Sequence, residues 1–294
     1  MLKTLRVVLA LIFFGLITFL FVDFRNTGPE WYDFVAKWQI IPAICAASVV
    51  TTLALLALTL IFGRVYCSTL CPLGVLQDFM NRFYGLFLKK RRRTARFGFS
   101  KGVPVLRYAV FGLFAVVMIL GIWYMGVRVW AALIEPYSAY GRIASSLFGP
   151  AYDWGNNLLA DYSVKENSTT FWHVATDFST GPVFYIACAT FVVLFAMVIA
   201  AGRLWCNTLC PAGTLLGFLS RFSVVAPVIN KSRCVGCRKC ERDCKAQCID
   251  IDHKEIDHSR CVTCFNCLSR CQVSALKYTL RYKPSQSAES ETKG

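Results

Sequence analysis

An α-helical integral membrane protein with a small α+β module at its C-terminus is the fold class this sequence predicts. Three observations predict it: four apolar stretches near membrane-spanning length, a segment that recurs after the second and fourth stretches, and two evenly spaced runs of cysteine near the C-terminus. The composition agrees. Of 294 residues, 56 % are apolar and 17 % charged, with mean hydropathy +0.49, against about 25 % charged residues in soluble domains. Fifteen cysteines would mark a disulfide scaffold in a short secreted chain, but here eight fall in the two runs, which reads as metal binding. The net charge of +15 suggests nucleic acid only until its distribution is examined.

The stretches Val7–Val22, Ile40–Phe62, Val103–Met125 and Val183–Ala201 each approach the roughly 20 helical residues that cross a hydrocarbon core. The first follows Lys3 and Arg6 and resembles a signal peptide, but Asp23–Glu30 shows no small-residue cleavage pattern, so it reads as an anchor. Four spans place both termini on one side. The 23–39 and 126–182 loops hold five basic residues (Arg25, Lys37, Arg128, Arg142, Lys165) against eight acidic ones, whereas the 63–102 loop carries Arg64, Arg82, the Lys89–Arg93 run, Arg96 and Lys101. The termini, that loop and the C-terminal module are therefore expected on the cytoplasmic side. The basic run reads as an anchor against anionic lipid, with no nucleic-acid partner.

The recurring segment is Gly63-Arg-Val-Tyr-Cys67-Ser-Thr-Leu-Cys71-Pro-Leu-Gly, matched by Gly202-Arg-Leu-Trp-Cys206-Asn-Thr-Leu-Cys210-Pro-Ala-Gly. Each copy follows the second span of a pair, so the membrane part reads as two repeated hairpins that bring Cys-x3-Cys-Pro to the same edge. Proline favours the first helical position, so Pro72 and Pro211 should open short helices over 73–88 and 212–225. Cys71 and Cys210 then lie at helix N-termini near Arg64 and Arg203, where thiolate is favoured. Cys67, Cys71, Cys206 and Cys210 have three readings: ligands to a metal or cluster, cycling dithiols, or a structural turn without redox chemistry.

The firmest signal lies near the C-terminus, where Cys234-x2-Cys237-x2-Cys240-x3-Cys244 is followed by Cys261-x2-Cys264-x2-Cys267-x3-Cys271. In such runs three thiolates hold one 4Fe-4S cluster and the fourth crosses to the other. One ligand set is thus Cys234, Cys237, Cys240 and Cys271, and the second is Cys261, Cys264, Cys267 and Cys244. Zinc also accepts four thiolates, but its ribbons use two pairs of cysteines, not duplicated runs of four. The module is accordingly a bacterial dicluster ferredoxin domain, with a hairpin around Ile249, Ile251 and Ile256 and another strand within Ser274–Tyr282. Domain bounds follow as 1–230 for the membrane part, 231–283 for the ferredoxin module and 284–294 for a disordered tail.

Two departures stand out. Lys245 and Gln272 follow the fourth cysteines, where proline is usual, and Cys248 occupies the place that Ala275 holds in the second half. Cys248 reads as a small buried residue beside a cluster, with a substitute ligand or a modulator of potential as the sharper alternatives. Cys45 and Cys188 read as small hydrophobes within spans, and His253 and His258 as solvated. His173, and Glu135 in Glu135-Pro136-Tyr137, are candidates for a quinone site in the outer loop, although an aromatic belt also accounts for the neighbours of His173. The Asn167 sequon carries no weight, and no nucleotide-binding motif is present.

These motifs together resemble the membrane polyferredoxins of the NapH type: Cys67-Ser-Thr-Leu-Cys71-Pro72, Cys206-Asn-Thr-Leu-Cys210-Pro211 and the runs from Cys234 and Cys261, over about residues 1–283. The resemblance implies a quinol dehydrogenase subunit of the prokaryotic inner membrane that passes electrons between the quinone pool and a respiratory reductase. The core is also similar to the membrane half of NosR-type proteins, without their large N-terminal flavin domain. A copper reductase or assembly factor of the CcoG type is the alternative, although that type is longer, with further Cys-x3-Cys-Pro motifs. A redox sensor or scaffold is a third.

Overall fold

The computed structural model describes residues 1–23, 35, 37–46, 48–87, 97–165, 172–174 and 181–281. The Lys89–Arg93 run, the Asn167 sequon and the 284–294 tail lie outside them. The first hairpin leaves through α1 (Leu2–Val22) and returns through α2 (Ile40–Cys45) and α3 (Val49–Phe62), followed by the single turn α4 (Tyr66–Thr69) and by α5 (Pro72–Phe87). The second begins with α6 (Pro104–Trp123) and α7 (Met125–Ile134). It continues through α8 (Pro136–Ile143), a π turn (Ala144–Phe148) and α9 (Gly149–Lys165), and returns through α10 (Pro182–Ala201), followed by the turn α11 (Leu204–Thr208) and by α12 (Pro211–Ser220).

Three helices, α1, α6 and α10, are long and apolar enough to cross a membrane, and each leaves most of its surface unburied by protein. That is the pattern of helices that are apolar all round. The expected fourth span, 40–62, is instead broken. Ala46 closes α2, while Ser48 opens α3: its carbonyl accepts the Thr52 N–H at 3.0 Å and its hydroxyl accepts from Thr51 Oγ1 at 2.6 Å. At 14 residues, α3 covers about 21 Å at 1.5 Å per residue, short of a roughly 30 Å hydrocarbon core. An unbroken apolar composition conceals such a break, because hydropathy is blind to where the backbone leaves the helix.

Both hairpins return to the end where α1 begins. There Gly63 (φ +74°) and Gly202 (φ +65°) turn the chain out of α3 and α10 into the repeated segments, a left-handed bend that favours glycine. The copies then pack crosswise: α5 lies against α10 and α12 against α3, while α1 covers α4 and α5 as α6 covers α11 and α12. The repeat in sequence is thus a repeat in space.

The outer loop expected over 126–182 is largely helical among its described residues. Helix α7 packs along α6, Glu135 and Pro136 turn the chain, and α8 enters the bundle with Tyr140, Ile143 and Ala144 fully buried. The Tyr140 and Thr18 hydroxyls are hydrogen-bonded, and the Phe21 and Tyr137 rings lie 4.9 Å apart. The aromatic and small residues of 136–148 fill space between spans, which charge counting by loop cannot reveal.

At the opposite end sits the small module. The helix expected over 212–225 stops at Ser220, and β1 (Val225–Ile229) follows; it pairs antiparallel with β4 (Leu276–Leu280), Val225 facing Leu280. β-branched Val225, Val228 and Ile229 suit that strand. Between the two strands lie α13 (Lys239–Arg242), the hairpin β2 (Ile249–Asp250) and β3 (Glu255–Ile256), and α14 (Asn266–Arg270).

Candidate iron–sulfur and thiol centres

The two halves of the module bend identically. Gly236, Arg238 and Gln247 in the first half, and Thr263, Phe265 and Ser274 in the second, are left-handed at equal distances from their cysteine runs. Five of these six are not glycine, so the bends are held against a cost of about 1 kcal/mol each or more. They fold each run around a space. Cys234, Cys237, Cys240 and Cys271 line one cavity, walled by Ile229, Ile251 and Leu276. Cys244, Cys261, Cys264 and Cys267 line a second, walled by Ile249, Val262 and Phe265. The fourth cysteine of each run faces the other run's cavity.

The donor sets suit a multi-atom group. Each set gathers four cysteines around a space, whereas a zinc site gathers its thiolates at about 2.3 Å from one point. Soft thiolates around an apolar cavity fit a 4Fe-4S cluster instead.

The membrane-edge thiols are held differently. Cys67, Cys71, Cys206 and Cys210 are all buried, and the two copies grip one another through arginine. Arg64 donates to the Cys206 carbonyl at 3.1 Å and lies 3.8 Å from Cys67 Sγ; Arg203 donates to the Cys67 carbonyl at 2.9 Å and lies 3.9 Å from Cys206 Sγ. Gly74 and Gly213 make this approach possible, since a Cβ there would stand 2.4 Å from the Cys67 carbonyl oxygen and 2.2 Å from that of Cys206. The guanidiniums thus face Cys67 and Cys206, not the cysteines at the helix N-termini. Burial pushes the Cys71 and Cys210 thiols up, against the expected thiolate, and pushes Cys206 up although Arg203 opposes it.

Arg64 also ties this centre to the module. Fully buried, it donates to Asn207 Oδ1 at 2.9 Å and to the Ser259 carbonyl, two residues ahead of Cys261, at 3.1 Å. Arg107 reaches the same carbonyl at 3.1 Å, and Asn207 Nδ2 reaches the Ala246 carbonyl at 3.4 Å. The cavity lined by Cys244, Cys261, Cys264 and Cys267 is therefore the one nearer the membrane thiols.

Asp78 on α5 is the second tie, and it explains Lys245. Its carboxylate meets Arg6 of α1, Arg203 at 2.9 Å and Lys245 Nζ at 3.1 Å. Burial alone would raise the Asp78 carboxyl, but Arg203, then Lys245 and Arg6, hold it far below the usual carboxylate range. The Lys245 carbonyl in turn accepts the Arg203 N–H at 2.9 Å. Where proline is usual after the fourth cysteine, this chain has a docking cation. Sequence reading passed over Asp78, although it is the lone acid of Pro72–Phe87, which was the available signal.

Of the two outer candidates, His173 is not brought together with these, whereas Glu135 lies within electrostatic reach of the buried Tyr66 beside Cys67. His173 is 58 % exposed and pairs with Asp161 at 3.1 Å. Glu135 is buried, with its carboxylate accepting the Tyr137 N–H at 3.0 Å and also that of Ser138, so it caps α8. Cys45 is exposed and Cys188 half-buried. His258 is partly buried, against the expectation of a solvated ring; burial, then Arg281, pushes it down to about 4.

A family model described as a 4Fe-4S binding domain matches the chain twice, over residues 46–94 and 181–229. Each match covers one Cys-x3-Cys-Pro segment and the helix before it. Both membrane-edge segments are thus similar to 4Fe-4S binding domains. The chain is 25 % identical over 234 residues to the uncharacterized protein MJ0749 of Methanocaldococcus jannaschii, covering 79 % of this chain and 71 % of that one. To YccM of Escherichia coli (strain K12), named as a candidate electron transport protein, it is 23 % identical over 217 residues, 72 % of this chain but only 49 % of YccM. A second uncharacterized M. jannaschii protein, MJ0750, is 24 % identical over 235 residues, covering 78 % and 77 %. No solved structure matches.

Proposed function

We propose that this chain is a membrane electron-transfer protein in which the C-terminal module and the membrane-edge thiols form one path. The observation that carries this reading is the position of Arg64, whose guanidinium touches Cys67 Sγ, the Cys206 carbonyl and the Ser259 carbonyl beside the Cys261 run. Bound at the eight module cysteines, 4Fe-4S clusters supply one-electron steps. The chain's own contribution is to hold the donors, exclude water and surround the nearer site with cations: Arg64, Arg203 and Lys245 favour added negative charge there. The four thiols Cys67, Cys71, Cys206 and Cys210 are read as a further centre that ligates a metal or cluster, a reading supported by the two 4Fe-4S family matches over the segments that contribute them.

Quinone is the proposed small-molecule partner and a respiratory reductase the protein partner, as in NapH-type subunits, with the module cytoplasmic by the distribution of basic residues. A cavity of about 520 Å³ between α1, α5 and α14 supports a quinone site at this end. Its wall joins apolar Val7, Leu11 and Phe79 to charged side chains that include Arg6, Asp78, Arg82 and Lys245. Anaerobic protein in lipid, treated with a quinol analogue and then dithionite, tests the reading. Partial bleaching by the quinol is expected; clusters that respond to dithionite alone would contradict the quinone link. The copper-reductase reading is favoured by the burial of all four thiols in the repeated segments, and copper binding lost on their substitution by Ser would promote it.

A further inference from the structure

Cys248 belongs to neither cysteine run, yet it lines the cavity of Cys244, Cys261, Cys264 and Cys267 and is 1 % exposed. Its Sγ lies 3.6 Å from that of Cys244. The other half offers a built-in comparison. There the equivalent residue is Ala275, which gives Cys271 Sγ only its backbone N–H, at 3.2 Å. The two cavities therefore differ by one S–H donor in otherwise matching bends.

With Cys244 and Cys261 bound as thiolates, Cys248 alone among the three carries a proton to share. A hydrogen bond to a ligand sulfur withdraws charge from it, which stabilises the more negative, reduced form of a cluster and raises its potential. We propose that Cys248 is a potential-setting residue: it donates its one S–H to the Cys244 ligand sulfur and raises the potential of the membrane-proximal cluster relative to the distal one. The inference rests on the assignment of Cys244, Cys261, Cys264 and Cys267 as one ligand set. Its consequence is a graded pair of clusters, the one nearer the membrane thiols holding an electron more firmly.

The test is a redox titration of the anaerobic, lipid-embedded full chain, followed by electron paramagnetic resonance, alongside iron and labile sulfide per chain. Metal content tests the ligand assignment, and midpoints test the proposal. C248A should keep wild-type iron while one cluster's midpoint moves negative and the other stays. A275C, which places a thiol in the matching position, should move the other midpoint positive. C248S, retaining a hydroxyl donor, should shift less than C248A. Unmoved midpoints in C248A, or in A275C should C248A fail to fold, would overturn the proposal. Loss of about half the iron in C248A would also overturn it, by making Cys248 a ligand.

Discussion

The membrane-edge cysteines and the module cysteines are the same donor held in two ways. In the module, left-handed bends at Gly236, Arg238 and Gln247, and at their counterparts, wrap short loops around cavities, so each half makes most of its site from neighbouring residues. At the membrane edge each copy of the repeat is incomplete, because the guanidinium that holds the turn at Cys67 comes from Arg203, and the one at Cys206 from Arg64. One arrangement is local. The other exists only when both hairpins and the module are in place, which ties the integrity of the thiol centre to the docking contacts around it.

That difference is broken most severely at Asp78. Asp78→Asn leaves Arg6, Arg203 and Lys245 in a buried site without their shared anion, and the loss of one partner of such a group costs about 3–5 kcal/mol. Thermal unfolding in detergent should show it, together with faster proteolytic release of the module. Because the Asp78 carboxyl is held below its ordinary value, the stabilisation is present above about pH 3.8 and is lost only as pH falls further, through its lowered folded value. Undocking of the variant should therefore be evident at neutral pH.

Next in size are Gly74→Ala and Gly213→Ala. The added Cβ would press on the carbonyl of Cys67 or Cys206, and such overpacking costs about 1–3 kcal/mol. Labelling of Cys67 and Cys206 by a thiol reagent should accelerate in both variants while iron at the module stays unchanged. Equal loss at both sets would erase the distinction between local and shared sites.

The smallest effect concerns His258, beside the docking carbonyl of Ser259. Its folded value of about 4 lies below its ordinary 6.5, so protons favour the unfolded state. Stability is fully present above pH 6.5 and declines as pH falls toward 4. The melting temperature should drop over that window, and His258→Gln should flatten the drop.

Spacing made the module's eight cysteines legible, because cluster loops are short and their geometry is written in a few residues. The pairing of Cys-x3-Cys-Pro segments was legible through the repeat. What escaped was long-range or decided by single polar contacts. Asp78 gathers cations from positions 6, 203 and 245, which no local window contains. The helix ends at Cys45 and resumes at Val49 within a stretch that hydropathy reads as continuous, and β1 is recognisable as a strand only once Leu276–Leu280 stands beside it. The helical return at Glu135 was hidden because apolar residues filling a bundle resemble those of an interfacial belt. Lys245 was noticed as a departure, but its reason lay on the other domain.

The most direct measurement is iron and labile sulfide per chain in anaerobically purified wild type and in the double variant Cys67→Ala with Cys206→Ala. The double variant should keep about eight iron atoms, those of the two module clusters, and lose an additional metal component that wild type carries. Identical metal content in the two proteins would contradict a centre at the membrane edge and reduce those four thiols to a structural turn or a dithiol couple.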